Sequence, residues 1–529
     1  MKRFVALSLM LMLALTLGAP ALADGNLNEV GTLPICKEKT VLTILLQEQT
    51  LVEDYDTNAY TKYLEDTLNI DIQFEFLPAT NPGDKLAVMI SSAQKLPDVV
   101  CFSLSAANAY KYAQAGAFIP LDEYIEKYSV NFKGKTAMYP ELNLEKLMRS
   151  PDGHTYALPF YAPSLSDETR YKLWINQKWL EKLNLSMPTT TEELIKVLRA
   201  FKEGDPNGNG KNDEYPLVGA TGWSQDATVA LMNSFVYNDN AERFFIEDGQ
   251  LKLAYMQEEW KDGLHFIKDL LTEDLLAPIS LTQTSEQLKA MVNNEGECIV
   301  GCFAYSAPTL IGAASPWFED YVALEPVAGP KGVQFSAYVK TSPQFYWFVT
   351  SDCTNKELAF RVGDYMFDEE VMMLNRYGVE DEQWTRASDE EAAAHGVKLA
   401  FYQTASQNIF GVSQNVNWRG AGPHFFGSPM AMNLSSANDR YLRGIDCYMR
   451  HIPAPDAYLP TLLLNDEELE MTSEIRATLK SYVNNMTAMF ITGNKDIDGE
   501  WDAFQNELRN IGVETYIQVY QQAYDRDYK

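Results

Sequence analysis

The chain has 529 residues, 46% of them apolar and 12% aromatic, with a formal charge of −30 at pH 7. Those proportions describe a globular body with room for two or more domains, and they exclude a disordered or fibrous chain. The charge disfavours nucleic acid and anionic membrane surfaces as partners.

Lys2 and Arg3 precede an apolar run from Phe4 to Leu17, and Ala21-Leu22-Ala23 precedes Asp24. This three-part pattern predicts a secretory signal peptide over residues 1–23, too short and wrongly flanked for a mature membrane span. No Cys stands at the cleavage point and Cys36 lies too far downstream, so a lipid anchor is not indicated. No later run of eighteen apolar residues occurs, so the mature chain is expected to be exported and soluble without direct membrane insertion.

Downstream, Thr40–Leu46, Ile70–Phe76 and Asp98–Ser103 read as strands, alternating with helices at Tyr60–Leu68, Asp84–Ala93 and Ala106–Ala115. Gly116 stands where a left-handed C-cap would end the last of these. A second unit begins after Tyr156–Phe160, with a strand at Tyr171–Asn176 and a helix from Gln177 to Leu183. Thr189–Thr191 before Glu192-Glu193 supplies hydroxyl caps and an acidic first turn to a helix over Thr191–Lys202. Helices follow at Trp260–Glu273 and Ser285–Asn293, and a strand at Cys298–Tyr305. Glu325–Val333 is a Pro/Gly-rich return segment; Asn355–Phe367 and most of Ser473–Tyr524 are helical in pattern. The alternation predicts an α/β protein with mostly parallel sheets and right-handed crossovers.

Between two of these elements lies Asp205-Pro206-Asn207-Gly208-Asn209-Gly210-Lys211-Asn212-Asp213-Glu214. Oxygen-bearing side chains at alternate positions, with Gly for the sharp turn, are what a curling loop needs to place six to eight oxygens on Ca²⁺. Asp205, Asn207, Asn209, Lys211 (through its carbonyl) and Asp213 occupy EF-hand positions 1, 3, 5, 7 and 9. The twelfth position is Pro216 rather than Glu, and Glu214 is the replacement carboxylate. A plain Gly/Asn-rich turn is the alternative. The six cysteines are too sparse for a disulfide scaffold. Cys298 and Cys302, four apart on a strand and so roughly 13 Å from each other, are expected to be buried thiols.

Several segments in fixed order resemble the extracellular solute-binding proteins of ABC transporters, in particular their long oligosaccharide-binding branch. They are Lys95-Leu96-Pro97-Asp98-Val99-Val100, Gly116-Ala117-Phe118-Ile119-Pro120-Leu121-Asp122 and Asp152-Gly153-His154-Thr155-Tyr156-Ala157-Leu158-Pro159. Leu173-Trp174-Ile175-Asn176, the Asp205 loop, Tyr377-Gly378-Val379-Glu380 and Phe490-Ile491-Thr492-Gly493 continue the series. The resemblance implies a two-lobed periplasmic-binding-protein-like α/β fold with discontinuous domains and a ligand cleft between the lobes. The lobes are expected near residues 40–165 plus 325–375 and 166–324 plus 376–529. It also implies a structural Ca²⁺ on Asp205, Asn207, Asn209, Lys211, Asp213 and Glu214. The expected partners are an oligosaccharide and the permease subunits of an ABC transporter, served by a monomer in the periplasm, the extracellular space or the cell envelope. Two departures stand out: many relatives carry a lipobox Cys and this chain does not, and Asp381 follows Glu380 where relatives often have Gly.

Sugar rings need flat apolar faces, and their hydroxyls need fixed polar groups. Of nine tryptophans, Trp223, Trp317 and Trp418 have loop-like settings and are the expected stacking residues, with Tyr161 and Tyr305 at strand ends. Glu48, Ser103 and Asp226 follow or end strands, where open α/β sheets bind ligands. A secreted carbohydrate-active enzyme and a carbohydrate adhesin are the alternatives. The five histidines have no metal-ligand spacing, and no nucleophile elbow or phosphate loop is present; together with the resemblance this favours a protein that does no chemistry on its ligand.

Overall fold

Leu42, Ile44, Leu45 and Leu46 are buried along the strand Thr40–Gln47, the spine of a six-stranded sheet. It runs parallel to Ile70–Leu77, with Thr40 opposite Ile70, and to Val99–Leu104, with Ile44 opposite Val99. The antiparallel strand Gln344–Val349 sits between Val99–Leu104 and Leu158–Tyr161, and His424–Phe425 closes the far edge. A second, four-stranded sheet has the order Tyr321–Leu324, Leu173–Asn176, Val300–Ala304, Tyr215–Val218. Only its last pairing is parallel. The expectation of mostly parallel sheets therefore holds for the first lobe and fails for the second. Hydrophobic pattern marks a strand as buried but carries no sign for its direction.

This computed structural model describes residues 25–294, 296–307, 310–311, 315–404, 407, 409, 412–427, 430–434 and 439–529. The expected signal peptide, residues 1–23, lies outside them. Each sheet organises its own core. The first gathers Tyr60, Trp347, Phe348, Phe360 and Trp418; the second gathers Trp174, Phe201, Phe303 and Tyr321. The helices Asp466–Ile491, Ile497–Ile511 and Val513–Tyr528 add Phe490, Trp501, Phe504 and Tyr516 to the second core.

One expected boundary is corrected. The described residues between 376 and 433 pack with the first lobe, not the second: Trp384, Phe401, Trp418, Phe425 and Phe426 belong to the first core, and His424–Phe425 joins the first sheet. The first lobe thus spans about 25–161 plus 344–433, and the second 173–324 plus the C-terminal helices.

Gly116 has φ +78°, the left-handed backbone expected after the helix Ala106–Gln114. All six cysteines are buried and free, and burial pushes the Cys101 and Cys302 thiols up. Among the described residues no helix is long and apolar enough to cross a membrane.

Candidate functional site

Strand register fixes which ends of the two sheets face each other. Residues 162–172 leave the carboxyl end of Leu158–Tyr161 and enter the second sheet at Leu173, opposite Ala304, the last residue of its strand. Residues 325–343 leave Leu324, opposite Leu173, and enter the first sheet at Gln344, opposite Phe160. Both crossings therefore join the carboxyl ends of the parallel strands, the ends where open α/β sheets place ligands.

Glu168 ties the crossings together. Its backbone carbonyl accepts from Val339 N at 2.8 Å, and its carboxylate accepts from Thr341 N at 2.9 Å and the Tyr338 hydroxyl at 3.3 Å. Ser336 bonds the carbonyls of His451 and Tyr448 in the third pass, at 2.9 and 2.8 Å. Lys172, 1% exposed, donates to the carbonyls of Ser166 and Thr169 and to the Thr169 hydroxyl. Its desolvation drops the amine pKa to about 7. Across the gap the Tyr110 hydroxyl donates to Asp466, at the start of the long helix Asp466–Ile491.

The strand ends bring some expected residues together. Trp223, 53% exposed, follows Tyr215–Val218 by a short turn, and the Arg170 guanidinium lies 4.8 Å from its ring centre. Tyr305 is at the same end; its backbone N–H donates to the Lys172 carbonyl at 2.9 Å. Asp226 caps the helix Ala227–Met232, accepting from the backbone and hydroxyl of Thr228. In the first lobe Glu48 is exposed just past Thr40–Gln47, and the Ser103 hydroxyl donates to Gln344 at 2.8 Å.

Of three further expected stacking residues, two are enclosed in the first core and one lies away from the cleft. Trp418 is 0% exposed, its indole N–H on Thr61 Oγ1 at 2.8 Å and its ring edge-on to Tyr60 and Phe74. Its polar neighbours misled: Gln414 and Asn417 are themselves buried and spend their hydrogen bonds on each other, on the turn's backbone and on core partners such as the Leu374 carbonyl. Trp317 lies at the opposite end of the second sheet, before Tyr321, which pairs with Asn176, and donates to the Asn294 carbonyl at 3.1 Å. Tyr161 is 4% exposed and stacks on Phe425 at 5.7 Å inside the first core.

The loop after Thr191–Glu203 lies at that opposite end, ahead of Tyr215–Val218, so the strand's length of about 13 Å separates it from the cleft. Asp205 Oδ1 accepts from the backbone of Gly208 and Asn209 and Oδ2 from Gly210. Asn207 Oδ1 accepts from Asn209 N, and Asn209 Oδ1 from Lys211 N. Gly208 and Gly210, at φ +80° and +75°, make the turn. Asp213 receives the amides of Asn207 and Asn209. Both Glu214 oxygens are buried without a hydrogen-bond partner, and burial, reinforced by Asp213 and Asp205, pushes this carboxyl up. Two orphaned buried carboxylate oxygens beside two further carboxylates suit a hard cation, so the residues fit Ca²⁺. Among the described residues no three His, Cys, Asp or Glu side chains converge on a ready-made metal site; half of the expected ligands are amides or a carbonyl. Spacing could not reveal Glu297, 88 positions from Asn209, which meets Asn209 and, at 3.7 Å, Lys211.

A family described as bacterial extracellular solute-binding protein matches residues 50–373. The fructooligosaccharide ABC transporter substrate-binding protein FusA of Streptococcus pneumoniae serotype 4 is 26% identical over 94% of this chain and 92% of its own. The polygalacturonan/rhamnogalacturonan-binding protein YtcQ of Bacillus subtilis is 23% identical over 66% of this chain and 68% of its own. The structure of an EF-hand mutant of S. pneumoniae FusA with fructo-nystose superposes with a TM-score of 0.77 at 24% identity, covering 92% of this chain and 99% of that one. It shows that the two share a fold.

Proposed function

The chain belongs to the bacterial extracellular solute-binding protein family, and from that premise we propose that it captures an oligosaccharide between its lobes and delivers it unchanged to ABC-transporter permeases. The observation that carries this reading is the convergence of both sheets' carboxyl ends on shared crossings, with Trp223 half exposed among them. Closure about residues 162–172 and 325–343 would bring Glu48 and Ser103 toward Trp223, Asp226 and Tyr305. The length of the match to a fructooligosaccharide-binding relative supports a carbohydrate ligand. The protein acts as an exported monomer after loss of residues 1–23. Calorimetric titration with fructo-, malto- and xylo-oligosaccharides tests the reading: saturable binding with the sugar recovered intact is expected, and shortened products would overturn it.

We further propose that Asp205, Asn207, Asn209, Lys211, Asp213 and Glu214 hold a structural Ca²⁺. The support is the unpartnered Glu214 carboxylate and an EF-hand in a relative of the same fold. The ion clamps the amino ends of Tyr215–Val218 and Val300–Ala304, away from the cleft.

A further inference from the structure

Next to Trp223 the second lobe contains a cavity of about 260 Å³. Thr221 and Asp226 stand at the strand end, Asn240 and Arg243 on the following loop, Trp260 on the helix Glu258–Thr272 and Asn484 on Asp466–Ile491. Its size is just under the roughly 300 Å³ at which pockets for drug-sized ligands begin. One sugar ring fits and a chain of rings does not.

The lining is built, not incidental. Arg243 is 8% exposed; its backbone N–H is held by Asp239 at 2.7 Å, and Nη2 donates to Asn240 and Asn484 at 2.9 and 2.7 Å. Those bonds fix the guanidinium, yet its Nε is buried with no partner. The Trp260 indole N–H, on a side chain 3% exposed, is likewise buried and unpartnered. Each such donor is costly while it is unmet. The Asp226 carboxylate lies on the same wall, and it and Arg243 do not close into an ion pair, although each feels the other's charge. Opposite charges held apart in a buried space leave room for groups that both donate and accept. Hydroxyls do both.

Charge narrows the ligand further. Two part-buried carboxylates, Asp226 and Asp239, outnumber the single buried guanidinium of Arg243. A ligand carboxylate here would add a third negative charge beside a single lining cation, Arg243, since Arg170 stands over Trp223 outside the chamber's lining, and desolvation opposes that addition. Resting on the oligosaccharide-binding reading above, we propose that this chamber selects one uncharged sugar ring, whose hydroxyls bridge Asp226 and Arg243 and satisfy the Trp260 indole N–H, and that it rejects uronic acid units. The remainder of the sugar chain runs out over Trp223.

Titration calorimetry of the full mature chain tests this, using neutral fructo-, malto- and xylo-oligosaccharides against oligogalacturonates of matched length. Trp260→Phe removes only the donor and part of the ring. Asp226→Asn keeps a helix cap but removes the charge. For the tightest neutral ligand each variant is expected to weaken binding about tenfold or more, with melting temperatures near wild type, and oligogalacturonates should not bind. Wild-type binding that both variants retain in full would overturn the chamber's role and leave it holding water only. Tighter binding of oligogalacturonates would overturn the selection for uncharged rings. If the wild type binds no member of either panel, the oligosaccharide reading itself fails, and this inference with it.

Discussion

Replacing Trp223 with Ala separates a ligand platform from a packing residue. The ring is 53% exposed, so of the roughly 150–250 Å² a tryptophan can bury, about 100 Å² still faces water. A sugar covering one face removes about 40–80 Å² of that area, worth about 1–2 kcal/mol at ~25 cal/mol per Å². The dissociation constant should therefore rise roughly 5–30-fold in calorimetric titration. On the stability side, the variant loses the contact with Arg170 at 4.8 Å, worth about 0.5–1 kcal/mol for an exposed cation–π pair, and the packing of the covered half of the ring. A lobe-sized unit would then melt only a few degrees lower, at roughly 2–4 °C per kcal/mol. Trp223→Phe should recover most of the affinity. Unchanged affinity in Trp223→Ala would remove the residue from the site; a large fall in melting temperature would make it a packing residue.

Other outcomes follow from the same geometry. With Ca²⁺ at about 100 times its dissociation constant, linkage contributes about 2.7 kcal/mol, so excess EDTA should lower the melting temperature by roughly 5–10 °C without changing ligand preference; an unchanged melting temperature contradicts the clamp. Trp418→Ala should destabilise by about 3–5 kcal/mol while the folded fraction binds sugar as before, since the ring is fully enclosed; a selective loss of affinity would return it to the site. Lys172 has its pKa lowered to about 7 in the fold, against about 10.4 when unfolded. Between those values the unfolded chain binds the extra proton, so this group makes stability rise with pH from about 7 to 10 and contributes no slope below. Urea midpoints across that range should rise more in wild type than in Lys172→Met, and equal slopes would refute the assignment.

Much of the first lobe was legible because its strands are short apolar runs bounded by turn residues. Thr40–Gln47, Ile70–Leu77 and Val99–Leu104 begin and end within a residue or so of their expected limits. The reach of residues 376–433 into the first core was not. Trp384 and Trp418 sit in polar stretches whose burial depends on distant partners, as that of Trp418 does on Thr61. Local polarity likewise placed Trp317 and Trp418 toward a ligand, whereas Trp223 and Asp226 stand at the cleft end of the second sheet because they closely follow one of its strands. The chamber around Arg243 was invisible for another reason. Its side chains come from separate loops and helices, and no spacing within any one of them signals that Asn484 holds Arg243. The proposed Ca²⁺ loop is the opposite case, since all six of its expected ligands lie in ten consecutive residues and only the neighbouring Glu297 arrives from outside.

The central claim, capture of an intact neutral oligosaccharide in the cleft, is tested most directly by titrating the mature protein with a neutral oligosaccharide series and recovering the sugar afterwards. The account predicts saturable one-to-one binding of at least one neutral chain, weakened by Trp223→Ala, with the recovered sugar unchanged in length. Shortened products, or no saturable binding across the series, would contradict it.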